Sequence, residues 1–239
     1  MEYWDLYDEN RRPLNKTMIR GEQVPPGCYH LVADAVFLNS KGETLLQRRA
    51  WEKEILPGVW SITGGSALAG ETMEAGCDRE VKEEMGFAPD WDSGRILYSE
   101  TGKNYHRDVF LFCQDAEEKD WHLQQEEVQD ARWILPEKIL QDEQLWHDLC
   151  HLRYWHEVFP LLSLESMRIR IPKGRYRHYK GKPYQVEGLA LHSETLEPMV
   201  IYRALYGSCE TWVRPAGMWN EFVDTKDGRV RRFAPEEKE

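Results

Sequence analysis

The chain has 239 residues, of which 41% are hydrophobic and 31% charged, with a formal charge of −11. That size and balance suit one large domain or two modest ones with buried cores, and exclude a disordered or fibrous chain. No apolar run approaches the ~20 residues that span a bilayer, the opening MEYWDLYDENRRP lacks a basic-then-apolar signal pattern, and the five cysteines are scattered without metal-finger spacing. They read as reduced thiols, so the expected compartment is the cytoplasm and no membrane partner is expected.

Charge is unevenly spread. Residues 163–239 hold 14 Lys+Arg against 11 Asp+Glu, a balance of +3, whereas residues 1–162 hold 17 against 31, a balance of −14. The asymmetry predicts two domains with different partners.

In chain order, residues 3–8 (YWDLYD) predict a short strand, and 30–38 (HLVADAVFL) a buried one. Asn39-Ser40-Lys41-Gly42 then turns into TLLQRRA. Residues 10–28 and 99–107 read as loops that wall a pocket. Pro57-Gly58-Val59-Trp60 leads into a short strand ending at Gly64-Gly65. Thr72 to Met85 predicts a helix stopped by Gly86. Further strands are expected at 95–98, 108–113 and 131–134, and a helical stretch from Pro136 through Leu149 to Phe159. Residues 1–162 therefore form an α/β domain with a mixed sheet. Residues 163–172 read as a linker, 173–224 as a small β-rich, barrel-like domain, and 225–239 as a charged tail.

The chemistry sits in residues 65–87, GSALAGETMEAGCDREVKEEMGF. On a helix, Glu80, Glu83 and Glu84 are spaced i, i+3, i+4 and share one face. Three carboxylates so close resist ionising together unless a cation lies between them. Oxygen ligands with room for water favour Mg²⁺ or Mn²⁺. Arg79, four residues before Glu83, can hold a carboxylate by hydrogen bonds. Gly76, one turn before Glu80, leaves space beside the metal, and the glycines at 64 and 65 let a backbone carbonyl approach the cation.

This pattern is the Nudix box, and residues 1–160 resemble the Nudix hydrolase superfamily. The resemblance implies an α/β/α sandwich with the loop-helix-loop on its edge, and metal-assisted attack of water on a nucleoside diphosphate derivative. It implies metal ligation by Glu80, Glu83 and Glu84 with the Gly65 carbonyl, supported by Glu71 and Arg79. Glu83 and Glu84 are thereby catalytic. In this superfamily the general base often follows the box; Glu126 and Glu127 are the first candidates here and Glu100 the second. A homodimer is common in the superfamily.

The stretch HLVADAVFLNSKGETLLQRRAWEKEILPGVW also resembles isopentenyl-diphosphate isomerase. By that resemblance Arg49 and Lys53 hold a substrate diphosphate, and His30 aligns with a metal histidine, so that His30, His106 and Asp108 are candidates to line the pocket. The isomerase's catalytic cysteine has no counterpart in Ser61-Ile62-Thr63-Gly64-Gly65-Ser66. Hydrolysis is therefore the leading expectation; isomerase-like activity and a non-catalytic nucleotide sensor are the alternatives.

Residues 174–223 resemble a short bacterial domain family of unknown function, through GRYRHYKG, HSET, YRALY and WVRP. Within 168–182 seven cations (Arg168, Arg170, Lys173, Arg175, Arg177, Lys180 and Lys182) stand with no acid among them, interleaved with Tyr176, His178 and Tyr179. Such a segment suits a nucleotide or single-stranded nucleic acid.

Overall fold

The chain opens with an antiparallel hairpin, β1 (Tyr3–Tyr7) and β2 (Pro13–Ile19). Part of the expected loop 10–28 is thus strand, and Met18 packs with Leu6 and Val24 in a small cluster of its own. In this computed structural model, which describes residues 1–226 and 228–236, the chain divides into two units, 1–158 and 159–239.

In the first unit β3 (His30–Leu38) turns into β4 (Thr44–Arg49) through Asn39, whose side-chain oxygen accepts from the Lys41 and Glu43 N–H groups. Two short strands follow, β5 (Trp60–Ser61) and β6 (Thr63–Ser66), then helix α1 (Met73–Met85), β7 (Arg95–Thr101), β8 (Tyr105–Cys113) and β9 (Val128–Ile134). The sheet runs β5-β4-β3-β8-β7, with β6 paired to β3 and β9 to β4. Only β3 and β8 pair in parallel; the other pairings are antiparallel, which makes the expected mixed sheet.

Helix α1 buries Met73, Cys77, Val81 and Met85 against Ala33, Ala35, Phe37, Phe110 and Phe112. These helical positions recur at i, i+4, i+8 and i+12, so one stripe faces the sheet and the next is free for the glutamates. Thr72 caps the start by accepting from the Ala75 N–H at 3.2 Å, and Gly86 ends the helix in a left-handed conformation at φ 79°.

The helical stretch expected from Pro136 to Phe159 is broken. It forms α2 (Pro136–Gln141), α3 (Glu143–Leu149) and α4 (Trp155–Arg170), with Asp142 capping α3 through the Leu145 N–H. Helix α4 overturns the expected linker at 163–172: it continues through Pro160, and Leu162, Ser166 and Met167 are buried along it.

The second unit holds β10 (Gly174–His178), β11 (Pro183–Leu191), β12 (Pro198–Ala204), β13 (Thr211–Pro215), the short α5 (Ala216–Trp219), and then β14 (Phe222–Thr225), β15 (Gly228–Arg231) and β16 (Phe233–Pro235). The β-rich module is an antiparallel sheet ordered β13-β12-β11-β10-β16, with β14–β15 as a separate hairpin. Its core joins Met167 and Ile171 to Tyr176, Val186, Val200, Tyr202, Trp219 and Phe233. The expected tail at 225–239 is corrected here. Phe233 is buried and stacks on Trp219 with ring centroids 3.8 Å apart, which commits β16 to the sheet. Residues 227 and 237–239 of that segment lie outside the described residues.

Candidate active site

Alternation along β4 decides which side chains reach the cleft. Leu45 packs under α1, and Gln47 and Arg49 follow it at intervals of two on the same face. Gln47 donates to Glu84 Oε2 at 2.8 Å, joining strand to helix inside the core. Beyond it a cleft of about 270 Å³ is lined by Arg49, Lys53, Gly65, Arg79, Glu80, Glu83, Glu84 and Glu127, with Glu2, Arg20, Gly64 and Gln124.

Gly65 allows a close approach in this cleft: a side chain there would collide with Glu80 Oε1. Gly76 plays another part than the sequence suggested. A β-carbon on it would meet the Ala67 backbone at 3.0 Å, so it admits the loop before α1 rather than opening space in the cleft.

Arg79 organises the carboxylates. Its Nε donates to Glu71 Oε1 at 2.9 Å, one terminal nitrogen to Glu80 and Glu83 at 3.0 Å each, and the other to the Ser66 carbonyl at 3.1 Å. Glu71 also accepts from the Leu68 N–H. Burial works against ionising Glu71, but Arg79 and that N–H overcome it and hold the carboxyl below its usual range. Among the described residues no three acidic, histidine or cysteine side chains converge as a ready metal cluster. The guanidinium stands between Glu80 and Glu83 and satisfies both.

The deeper carboxylates behave differently. Burial raises Glu80, partly opposed by Arg79. Burial pushes Glu84 up to about 8, against the Gln47 hydrogen bond and with the charges of Glu80 and Glu127 adding to the rise. Carboxylates held above their normal range by desolvation and mutual repulsion fit a hard cation, whose charge would restore ionisation. The donor set is all oxygen, and the Glu80 side chain lies against the Gly65 backbone. These residues therefore fit Mg²⁺ or Mn²⁺.

The loop before β9 brings Glu127 in. His122 and Gln124 N–H groups cap the Met85 and Glu84 carbonyls at 3.0 and 3.1 Å, and Ala50 N–H donates to the Glu127 carbonyl at 2.9 Å. Lys53 Nζ pairs with the Glu127 carboxylate at 2.7 Å. Glu126 is exposed and does not line the cleft. Glu100 is likewise outside it, accepting from the Tyr105 hydroxyl.

The histidines do not join the site. His30 is buried, stacks on Trp4 at 4.0 Å, and is drawn down to about 4 chiefly by burial. His106 bonds to the Asp8 carbonyl and Thr101 hydroxyl. Asp108 is clamped by Arg11 at 2.8 Å and Ser99 at 2.6 Å. Both fasten the N-terminal hairpin to β8. Gln47, Arg20 and Gln124 are cleft or support residues that no motif marked; the one signal was a glutamine inside the apolar strand TLLQRR.

In the basic segment, Arg175 and Arg177 pair with Glu236 at 3.3 and 2.5 Å, so part of its charge is neutralised within the second unit.

An acidic helix face with cations across a cleft is an arrangement suited to phosphate chemistry. Comparison with known proteins makes the class specific. The NUDIX domain family matches residues 29–154, and the family described as a protein of unknown function, DUF1653, matches residues 174–235. An uncharacterized Nudix hydrolase of Listeria innocua is 42% identical over 140 residues, 58% of this chain and 83% of that protein. The isopentenyl-diphosphate Delta-isomerase of Streptomyces avermitilis is 33% identical over 98 residues, 40% of this chain and 50% of that protein. A solved DUF1653 structure from Bordetella bronchiseptica is 44% identical, covering 27% of this chain and 85% of that one at a TM-score of 0.26. The chain belongs to the Nudix hydrolase family and carries a C-terminal DUF1653 domain.

Proposed function

We propose that the chain is a cytoplasmic enzyme that hydrolyses a pyrophosphate bond in a nucleoside diphosphate derivative or related diphosphate, with Mg²⁺ or Mn²⁺ held by Glu80, Glu83, Glu84 and the Gly65 carbonyl. When bound, the cation supplies Lewis-acid polarisation of the phosphoryl oxygens and lowers the pKa of water. The chain's own residues supply the rest. Arg49 offers a fork to phosphate oxygens and Lys53 a point charge. Glu127 is the general base: it takes a proton from the water that attacks phosphorus, while the phosphorus–oxygen anhydride bond breaks and the second phosphate leaves. Glu71 and Arg79 orient the ligating glutamates. Every group named lies in one chain, so the reading holds for a monomer and for the homodimer common in the superfamily.

The observation that carries this reading is the buried Glu84 beside Glu80 and Glu83, facing Arg49 and Lys53 across one cleft. An isomerase is less well supported, because no cysteine lines the cleft among the described residues. The test is a panel of pyrophosphate compounds incubated with the purified chain and Mg²⁺, with products followed by phosphate detection. The proposal expects cleavage of at least one compound, abolished by chelation. A panel left untouched over hours, with a nucleotide still raising thermal stability, would replace the enzyme with a sensor.

A further inference from the structure

The second unit has a cleft of its own. A cavity of about 340 Å³ opens beside β11, β12 and β13, within the range of about 300–1,000 Å³ usual for small-ligand sites. Strand register puts its walls together: Tyr184 pairs with Ala204, and Tyr202 with Trp212. Arg214 follows Trp212 by two and shares its face. The floor is rigid. Tyr202 meets Trp219 edge-on at 4.9 Å, Trp219 stacks on Phe233, and the Tyr184 and Tyr206 hydroxyls bond at 2.5 Å.

Arg214 is the unexplained group. Its guanidinium has no hydrogen-bond or ion-pair partner among the described residues, and its Nε is buried and unsatisfied. The guanidinium lies over the Phe233 ring, 5.8 Å from its centroid. A partly buried guanidinium is normally held by an acceptor, as that of Arg79 is in the first unit. A second cation, Lys182, sits over Tyr206, 4.5 Å from its centroid. Trp212 presents an open ring, 56% exposed, on the same wall. Glu210 and Ser208 line the cleft as well and offer acceptors to a ligand's N–H and O–H groups.

Arg214 in the cleft, Lys182 beside it over Tyr206, and an open indole ring select among ligands. A methylated ammonium group would suit the tyrosines, but Arg214 and Lys182 repel it. A neutral apolar ligand would leave Arg214 unpaired. A doubly charged phosphate joined to a planar ring satisfies each feature: the fork takes phosphate oxygens, and the ring stacks on Trp212.

We propose that this cleft of the DUF1653 unit binds a nucleoside monophosphate, with Arg214 on the phosphate and Trp212 on the base. The source is a free nucleotide or the 5′-phosphorylated end of a single strand, which present the same chemistry. The site is separate from the Nudix cleft and does not rest on its hydrolytic activity.

Calorimetric titration of the full chain in EDTA, with AMP as probe, tests this. AMP is expected to bind, with adenosine and inorganic phosphate each at least tenfold weaker, because ring and phosphate are both held. Arg214→Gln and Trp212→Ala should each weaken AMP at least tenfold, whereas Arg49→Ala in the other cleft should change it less than twofold. Trp212 is exposed, so its variant keeps the fold, and a thermal midpoint for each variant verifies this. A 5′-phosphorylated hexathymidylate that binds at least tenfold tighter than AMP, and is lost in Arg214→Gln, assigns the strand end. Equal affinities assign the free nucleotide. Absence of AMP binding up to millimolar concentration, or binding indifferent to both Arg214→Gln and Trp212→Ala, overturns the proposal.

Discussion

In the first unit Arg79 is held by Glu71, Glu80 and Glu83, and Lys53 by Glu127, with Glu84 buried behind them. In the second, Arg214 stands among aromatic rings with no acceptor. One cleft has more carboxylates than its cations satisfy, and in the other the Arg214 guanidinium is unpaired among the described residues although Glu210 lines the same cleft. A protein interior tolerates neither imbalance cheaply, since desolvated charge costs several kcal/mol unless paired. The excess in each cleft therefore matches the sign of the ligand proposed for it: a cation with its diphosphate in the first, an anion in the second.

The sharpest way to break this contrast is to neutralise the first cleft. Glu83→Gln should lower Mg²⁺-dependent turnover by about a thousandfold, several kcal/mol of lost transition-state stabilisation, in a steady-state assay on whichever compound the panel identifies. A loss below tenfold would remove Glu83 from the metal site. Arg79→Ala should cost about 10–100-fold in metal affinity, because its loss frees the glutamates it orients; a Mn²⁺ titration reads this. Arg49→Ala removes a charged hydrogen-bond donor worth about 1.5–3 kcal/mol. It should raise KM about tenfold or more with a smaller change in kcat, and the reverse split would make Arg49 a transition-state contact.

A further effect is a pH dependence of stability. The Glu84 proton is held up to about 8 in the folded protein and lost from an ordinary carboxylate near 4.5. Folding therefore takes up a proton between those values, and this contribution to stability, full below about 4.5, is lost as pH rises through about 8. Thermal melts of metal-free protein should show the midpoint falling over that window, with a shallower fall in Glu84→Gln. An identical slope in both proteins would assign the pH dependence to other groups.

The two units also differ in how far their sequences reveal them. Strand β3 and helix α1 are readable from local pattern, because a nine-residue apolar run and a capped helix with a glycine stop are short-range signals. The cleft's glutamates were legible because every fixed position of the pattern over residues 65–87 is filled, whereas Glu80, Glu83 and Glu84 alone would read as a solvated helix face. Helix α4 was not, because Pro160 reads as a stop although the helix runs through it. Strand β16 was hidden by its charged surroundings; Phe233 enters the core only through pairing with β10, which lies far away in sequence. Gln47 and Arg214 were equally silent. Each is an ordinary strand residue until the sheet register brings it to Glu84 or to Trp212 and Tyr202. His30 misled for the converse reason: a matching residue type at a matching place packs on Trp4 instead of facing the cleft.

The central claim is that the glutamates of α1 hold the cation that supports hydrolysis. Mn²⁺ binding followed by electron paramagnetic resonance, on the full chain and on Glu84→Gln, tests it most directly. Bound Mn²⁺ is expected in the parent protein, with affinity falling at least tenfold in the variant together with turnover. Equal Mn²⁺ affinity in the two proteins would contradict it.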